Sequence, residues 1–383
     1  MPTLFPRILG GIPVIFLLLW SLAGCTDPVD PEFSYREGLV YIDAFASNDP
    51  GASYVQVFES GESFGRQTNE FLEGADVRFI RSPDGREVVL FESGDRYLPP
   101  ADFAVRIGEQ WQLRVELADG RRYFSTAESP VAPVPIREVS VSYDPQLVFA
   151  EDYDREVPGH RLSVTFSDPA GEENYYFWQF RSYEQLVYCH ICYNYSVYRD
   201  GECFTPDPDR PGPPLKEYYT YSCEDACWQI RYNDRVEVYS DEFSDGTTTT
   251  GLPVADILLY QKRNVLVKLQ QYTLGRDAYR YYKTLKDLVD NNSGFNAPLP
   301  AALLGNLYNP DNPDEYVLGR FTAAAQVSRD VFIERIGLEE AQLEDRIVGQ
   351  AEEYGSVPPP VTSSAPCLSG PYRTAVEPEG WPE

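Results

Sequence analysis

Trp111-Gln112-Leu113-Arg114-Val115-Glu116-Leu117 alternates apolar and polar residues without a break, an order that suits a strand with one buried face. Asp76-Val77-Arg78-Phe79-Ile80 repeats the period, and Leu39-Val40-Tyr41-Ile42 and Tyr54-Val55-Gln56-Val57-Phe58 add β-branched and aromatic runs. Turn residues punctuate these runs at Asn48-Asp49-Pro50-Gly51, at Pro83-Asp84-Gly85 and at Asp119-Gly120, which leads into Tyr123-Phe124. Residues 37–128 are therefore expected to form a small antiparallel sandwich of the immunoglobulin or prealbumin kind.

A Pro-rich stretch, 129–135, is the expected boundary, and a larger β domain is expected over 136–336. Val139-Ser140-Val141, Leu162 to Phe166, Tyr175 to Phe180 and Asn264 to Leu269 supply its strands. An insertion from about 188 to 228 holds five cysteines and the proline-rich run Pro206 to Pro214. One helix stands out: Asp277 can cap it, and Ala278, Tyr281, Tyr282, Leu285, Leu288 and Val289 fall at helical spacing. Its aromatic stripe reads most simply as a face packed on a sheet. Residues 337–383 form a tail, with a second acidic helix or a solvated stretch at Glu339 to Glu353 and an irregular end held by Cys367. The expected class is thus mainly β: two antiparallel β-sandwich domains, the second carrying a disulfide-bearing insertion and one packed helix.

The N-terminus carries an address. Arg7 precedes an apolar run from Ile8 to Trp20 that Gly10, Gly11 and Pro13 interrupt, too short and broken for a comfortable membrane span. Leu22-Ala23-Gly24-Cys25 then matches a bacterial lipobox, so 1–24 reads as a lipoprotein signal peptide and Cys25 as the lipidated first residue of the mature chain. Residues 25–36 are a polar tether whose Asp27, Asp30 and Glu32 resemble signals for export to the outer face. The expected location is the outer membrane, anchored by lipid and facing the cell surface. The net charge of −28 repels nucleic acid and anionic lipid, which argues against either as a direct partner. With Cys25 acylated, Cys189, Cys192, Cys203, Cys223, Cys227 and Cys367 remain, an even set that an exported protein uses for disulfides. Several pairings are open.

Several segments together resemble the Bacteroidota outer-membrane lipoproteins known only as a domain of unknown function and commonly encoded beside a TonB-dependent receptor. The likeness runs from Leu39-Val40-Tyr41-Ile42 and Asp49-Pro50-Gly51 through Gly74-Ala75-Asp76-Val77, Trp111 to Leu117, Asp119 to Tyr123, Ser167-Asp168-Pro169 and Cys227-Trp228-Gln229-Ile230. Its most specific part is C-terminal: Val265 to Leu274, Ala278 to Tyr282, Leu285-Lys286, Phe295-Asn296-Ala297-Pro298, Gly305-Asn306 and Val317-Leu318-Gly319-Arg320-Phe321. The tail departs from the family, which often carries a paired cysteine motif where this chain has only Cys367, so that cysteine's partner is left open. The resemblance implies a β-rich surface lipoprotein associated with nutrient import and brings no catalytic residues.

Other constellations favour bland readings. Cys189-His190-Ile191-Cys192 has the spacing of half a zinc ribbon, but an oxidising envelope turns such thiols into disulfides, so no metal or cofactor is expected. Gly61-Glu62-Ser63-Phe64-Gly65 matches a nucleophile elbow without the strand-to-helix context, and His160 and His190 are the only histidines to serve it. His160 follows Pro158-Gly159 in an apparent turn. Asp311-Asn312-Pro313-Asp314-Glu315, like Asp207 and Asp209, gathers oxygen ligands without EF-hand spacing. The expected function is non-enzymatic: an accessory of a TonB-dependent receptor that captures a small-molecule or oligosaccharide ligand, or docks on the transporter. Exposed aromatics, from a chain with 28 Tyr, would stack on a sugar or other flat solute. A surface hydrolase of glycans or peptides, and a structural or assembly factor of the outer membrane, are the alternatives.

Overall fold

The computed structural model describes residues 38–63, 66–192, 197–199, 202–204, 219–233, 235–290, 303–343, 364–365, 367–370 and 372–382. Alternating segments of the first third become β1 (Val40–Ser47), β2 (Tyr54–Ser63), β3 (Arg66–Phe71), β4 (Asp76–Ser82), β5 (Arg86–Val89), β6 (Phe91–Ser93), β7 (Arg96–Leu98), β8 (Gln110–Glu116) and β9 (Arg122–Ser125). In β8 the period is read out directly, with Trp111, Leu113 and Val115 buried and the residues between them facing outward. Gly120 closes the β8–β9 hairpin at φ +91°, a conformation only glycine adopts cheaply, while its N–H reaches the Leu117 carbonyl.

The middle of the chain supplies β10 (Ile136–Ala150), β11 (Arg155–Ser167), β12 (Tyr175–Cys192), β13 (Val197–Arg199), β14 (Glu202–Phe204), β15 (Tyr219–Tyr232), β16 (Glu237–Ser240), β17 (Thr248–Leu258) and β18 (Val265–Leu274). Helix α1 (Arg276–Asp290) follows, then β19 (Leu307–Tyr308), β20 (Leu318–Ile333), β21 (Ser364–Ala365) and β22 (Arg373–Thr374). The helix starts two residues earlier than an Asp277 cap requires. Asp277 lies in its first turn, and the Gly275 carbonyl accepts from the Tyr279 N–H at 3.0 Å. No helix occupies 339–343; the described part of that stretch is irregular, and Tyr143 donates to Glu340 at 2.6 Å.

One large sheet organises the molecule, running β21-β15-β12-β18-β20-β1-β2-β7-β6, with β3 beside β2, β16 beside β12 and β22 beside β15. Two smaller sheets pack on it. The sheet β19-β9-β8-β4-β5 closes a core with β1 and β2 through Ile42, Val57, Phe79, Leu113 and Tyr123. The sheet β10-β11-β17 closes a second core with β12 and β18 through Leu162, Phe166, Tyr176, Trp178 and Val267.

Strand β20 serves both. Its Phe321 and Ala323 lie in the first core, and Val327, Val331 and Ile333 in the second. Residues 37–128 thus do not close the first core alone: β1 pairs in parallel with β20, from Tyr41 opposite Leu318 to Ser47 opposite Ala324. That parallel contact is tight at Gly319, at φ +94°, where an added Cβ would lie 2.0 Å from the Ile42 carbonyl oxygen.

Alternation sends the remaining side chains to the opposite face of the large sheet. There Phe45, Phe177, Tyr272 and Ala324 form a third core under Ala278, Tyr281 and Tyr282 of α1, with the Phe177 and Tyr282 rings stacked at 4.6 Å. The helix's aromatic stripe is therefore a packing face. The expected insertion begins as two long arms rather than a loop, because β12 and β15 continue their pairing to Cys192 opposite Tyr219.

Candidate functional site

Beside α1, on the face it covers, the large sheet leaves a cavity of about 320 Å³. Its tyrosine half comes from Tyr41 on β1, Tyr54 on β2, and Tyr281 and Tyr282 on α1. Asp43 stands among them because odd-numbered positions of β1 face the helix side, where Phe45 also points. The Tyr54 hydroxyl donates to Asp43 Oδ2 at 2.9 Å. Burial pushes the Asp43 carboxyl up to about 6, against the Tyr54 hydrogen bond and the Arg96 charge, which pull it down. Burial and then the Asp43 charge drive the Tyr41, Tyr54, Tyr281 and Tyr282 hydroxyls up as well, so all four remain protonated donors at neutral pH.

The other half is cationic. Arg96 on β7 lies 5.4 Å from the Tyr54 ring centroid and 5.2 Å from that of Tyr232, while Arg181 on β12 and Arg235 beyond β15 complete the wall. Each is only loosely paired: Arg96 with Asp95 at 3.7 Å, Arg181 with Asp49 at 4.0 Å and Arg235 with Asp256 at 3.8 Å. None of the three donates a side-chain hydrogen bond to another described residue, and the buried Arg96 Nε has no acceptor. Elsewhere guanidinium groups are forked onto carboxylates, as Arg78 is onto Asp76 at 2.6 Å and Arg161 onto Asp256 at 2.9 and 3.2 Å. In a chain of net charge −28, free guanidinium donors around one cavity are a local reversal. Gln56, Gln179 and Gln270 add amides to the lining.

Four of the expected disulfide cysteines are joined, Cys189 to Cys223 and Cys227 to Cys367. The second bridge supplies the partner that the sequence left open. It draws the tail onto the sheet, where β21 and β22 pair with β15 and Trp381 meets Trp228 and Phe332 edge-on. Cys25 lies outside the described residues, as do the side chains of Cys192, Cys203 and His190, and Asp207 and Asp209 entirely.

Gly61 and Ser63 belong to a β2–β3 hairpin, Ser63 opposite Arg66, which is not a strand-to-helix elbow; Phe64 and Gly65 are outside the described residues. His160 is not in a turn. It sits within β11 opposite Ile257, buried, and burial with the charge of Arg335 brings its imidazole down to about 4. In the 311–315 loop, Asp311 pairs with Arg122 at 2.7 Å and Glu315 accepts from Tyr123 and Asn309, so its carboxylates brace the loop. Asp168, Asp241 and Asp245 likewise accept from Tyr176, Asn174 and the backbone N–H groups of Gly246 and Gly171.

No cavity residue was singled out from the sequence. Asp43 inside the apolar run Tyr41-Ile42-Asp43-Ala44-Phe45 was the available signal. The arginines come from three distant segments and carried none.

Fold and cavity together define a disulfide-bearing β-sheet protein with a small aromatic and cationic pocket. The model of the family described as Domain of unknown function (DUF4249) matches residues 26–330, and the chain belongs to that family. No curated protein and no solved structure matches it.

Proposed function

We propose that this chain is a lipid-anchored accessory of a TonB-dependent receptor at the outer membrane, capturing a small ligand without chemical turnover. The observation that carries this reading is the cavity, whose aromatic walls and unspent arginine donors suit a flat solute with polar groups. Among the described residues of its lining Asp43 is the one carboxylate, whereas glycoside hydrolysis takes a pair, and we read the cavity as binding rather than hydrolytic. Leu22-Ala23-Gly24-Cys25 supports the anchor. The volume lies at the low end of ligand pockets, so the cargo is a small solute or the end of a chain rather than a stretch of polymer.

The test is purification of the tagged, lipidated chain from outer membranes in mild detergent. Stoichiometric recovery of a TonB-dependent receptor is the expected result. Recovery of the chain alone would remove the receptor role and redirect attention to an independent binding or assembly function.

A further inference from the structure

We propose that the cavity is selective for a small hydroxylated ring bearing a carboxylate, an acidic sugar in chemical class, with its anionic group on Arg96 and Arg181. This rests on the ligand-capture reading above and narrows it.

The two halves of the cavity set the orientation. Arg96 lies 5.2 Å from the Tyr232 ring centroid, and Arg181 lines the same cavity. Their ion pairs, at 3.7 and 4.0 Å, are too long to use the N–H donors, and a carboxylate would take them in the planar, charge-assisted geometry that arginine favours. Side-chain exposures of 21% for Arg96 and 24% for Arg181 leave both partly desolvated yet reachable. Arg235, 46% exposed, adds a weaker outer charge.

Asp43, on the tyrosine side, has one hydrogen bond, from Tyr54, and no ion pair within 4.0 Å among the described residues. A carboxylate there accepts from ligand hydroxyls and repels a second carboxylate, which turns the anionic group toward the arginines. Tyr41 supplies an aromatic wall on which the ring's C–H face packs. A neutral sugar would offer the guanidinium donors only uncharged hydroxyl acceptors, without the charge-assisted pair. An aromatic acid such as benzoate would desolvate Asp43 and offer it no donor beyond Tyr54.

The experiment is isothermal titration of the full chain in mild detergent with glucuronate, glucose and benzoate. Glucuronate should bind at least tenfold more tightly than either of the others. Arg96→Ala and Arg181→Ala should each weaken glucuronate at least tenfold, Arg235→Ala should weaken it less, and Arg122→Ala, on the other sheet, should not. Thermal unfolding checks each variant, and the exposed Arg235→Ala keeps the test usable if a more enclosed variant fails to fold. Equal binding of glucose and glucuronate overturns the acidic class and leaves ligand capture standing. Equal binding of benzoate overturns the requirement for hydroxyls. If no probe binds while a receptor still co-purifies, this inference fails and the accessory reading survives through docking; if neither is seen, both fail.

Discussion

Asp43 occupies a position where the neighbouring members of its strand face, Tyr41 and Phe45, are aromatic, and its carboxyl is held up to about 6 from an ordinary value near 3.8. The native state therefore keeps a proton between about pH 4 and 6 that the unfolded chain has released, and stability falls as pH rises through that window. Asp43→Asn still accepts from Tyr54 but carries no charge. Urea unfolding should show it equal to the parent near pH 4 and more stable by about 1–3 kcal/mol at pH 8. Glu184 and Arg335 act differently, both almost fully buried and bonded at 2.7 Å, with Arg335 also donating to the carbonyls of Leu258 and Gln261. Arg335→Ala strands Glu184 with Arg231 alone, 3.1 Å away, and should cost about 3–5 kcal/mol in urea unfolding. The pair Glu184→Gln/Arg335→Met should recover part of that loss, because the buried Glu184 charge is removed together with its Arg335 partner.

Among the elements, β20 bears the most constraint, since both of its faces are buried along much of its length and it joins two cores. The contact of Gly319 with β1 leaves no room for a methyl group, and the positive φ adds strain for any other residue. Gly319→Ala should lower stability by about 2–4 kcal/mol and weaken protection of the β1 amides in hydrogen exchange. Unchanged exchange in β1 would mean the parallel pairing tolerates the shift. Elements of this kind were only half legible. The alternation of β4 and β8 and the turns after Pro83 and Asp119 show in the residues, because each depends on near neighbours. Helix α1 shows for the same reason. The parallel pairing of β1 with β20 does not, because period-two patterning states which face is buried and leaves the partner strand open.

Across the whole molecule, the Cys227–Cys367 bridge closes a span of 140 residues and brings the tail back onto β15. In the chain-entropy account long loops gain most from closure, so Cys227→Ser/Cys367→Ser should lose about 3–5 kcal/mol under oxidising conditions. Limited proteolysis should then release peptides from the tail before the sheet is cut. A tail that stays protected would assign its attachment to the Trp381 contacts with Trp228 and Phe332 instead. The residues by themselves determined the mainly β class, the helix, the many turns and the cysteines available for bridging, because these follow from local periodicity, backbone preference and composition. Only the tertiary structure decided that two cores share one sheet through β20, that Cys367 meets Cys227, and that Asp43, Arg96, Arg181 and Arg235 line one cavity. Those outcomes depend on the order in which strands assemble, and that order is set by the simultaneous burial of faces far apart in sequence.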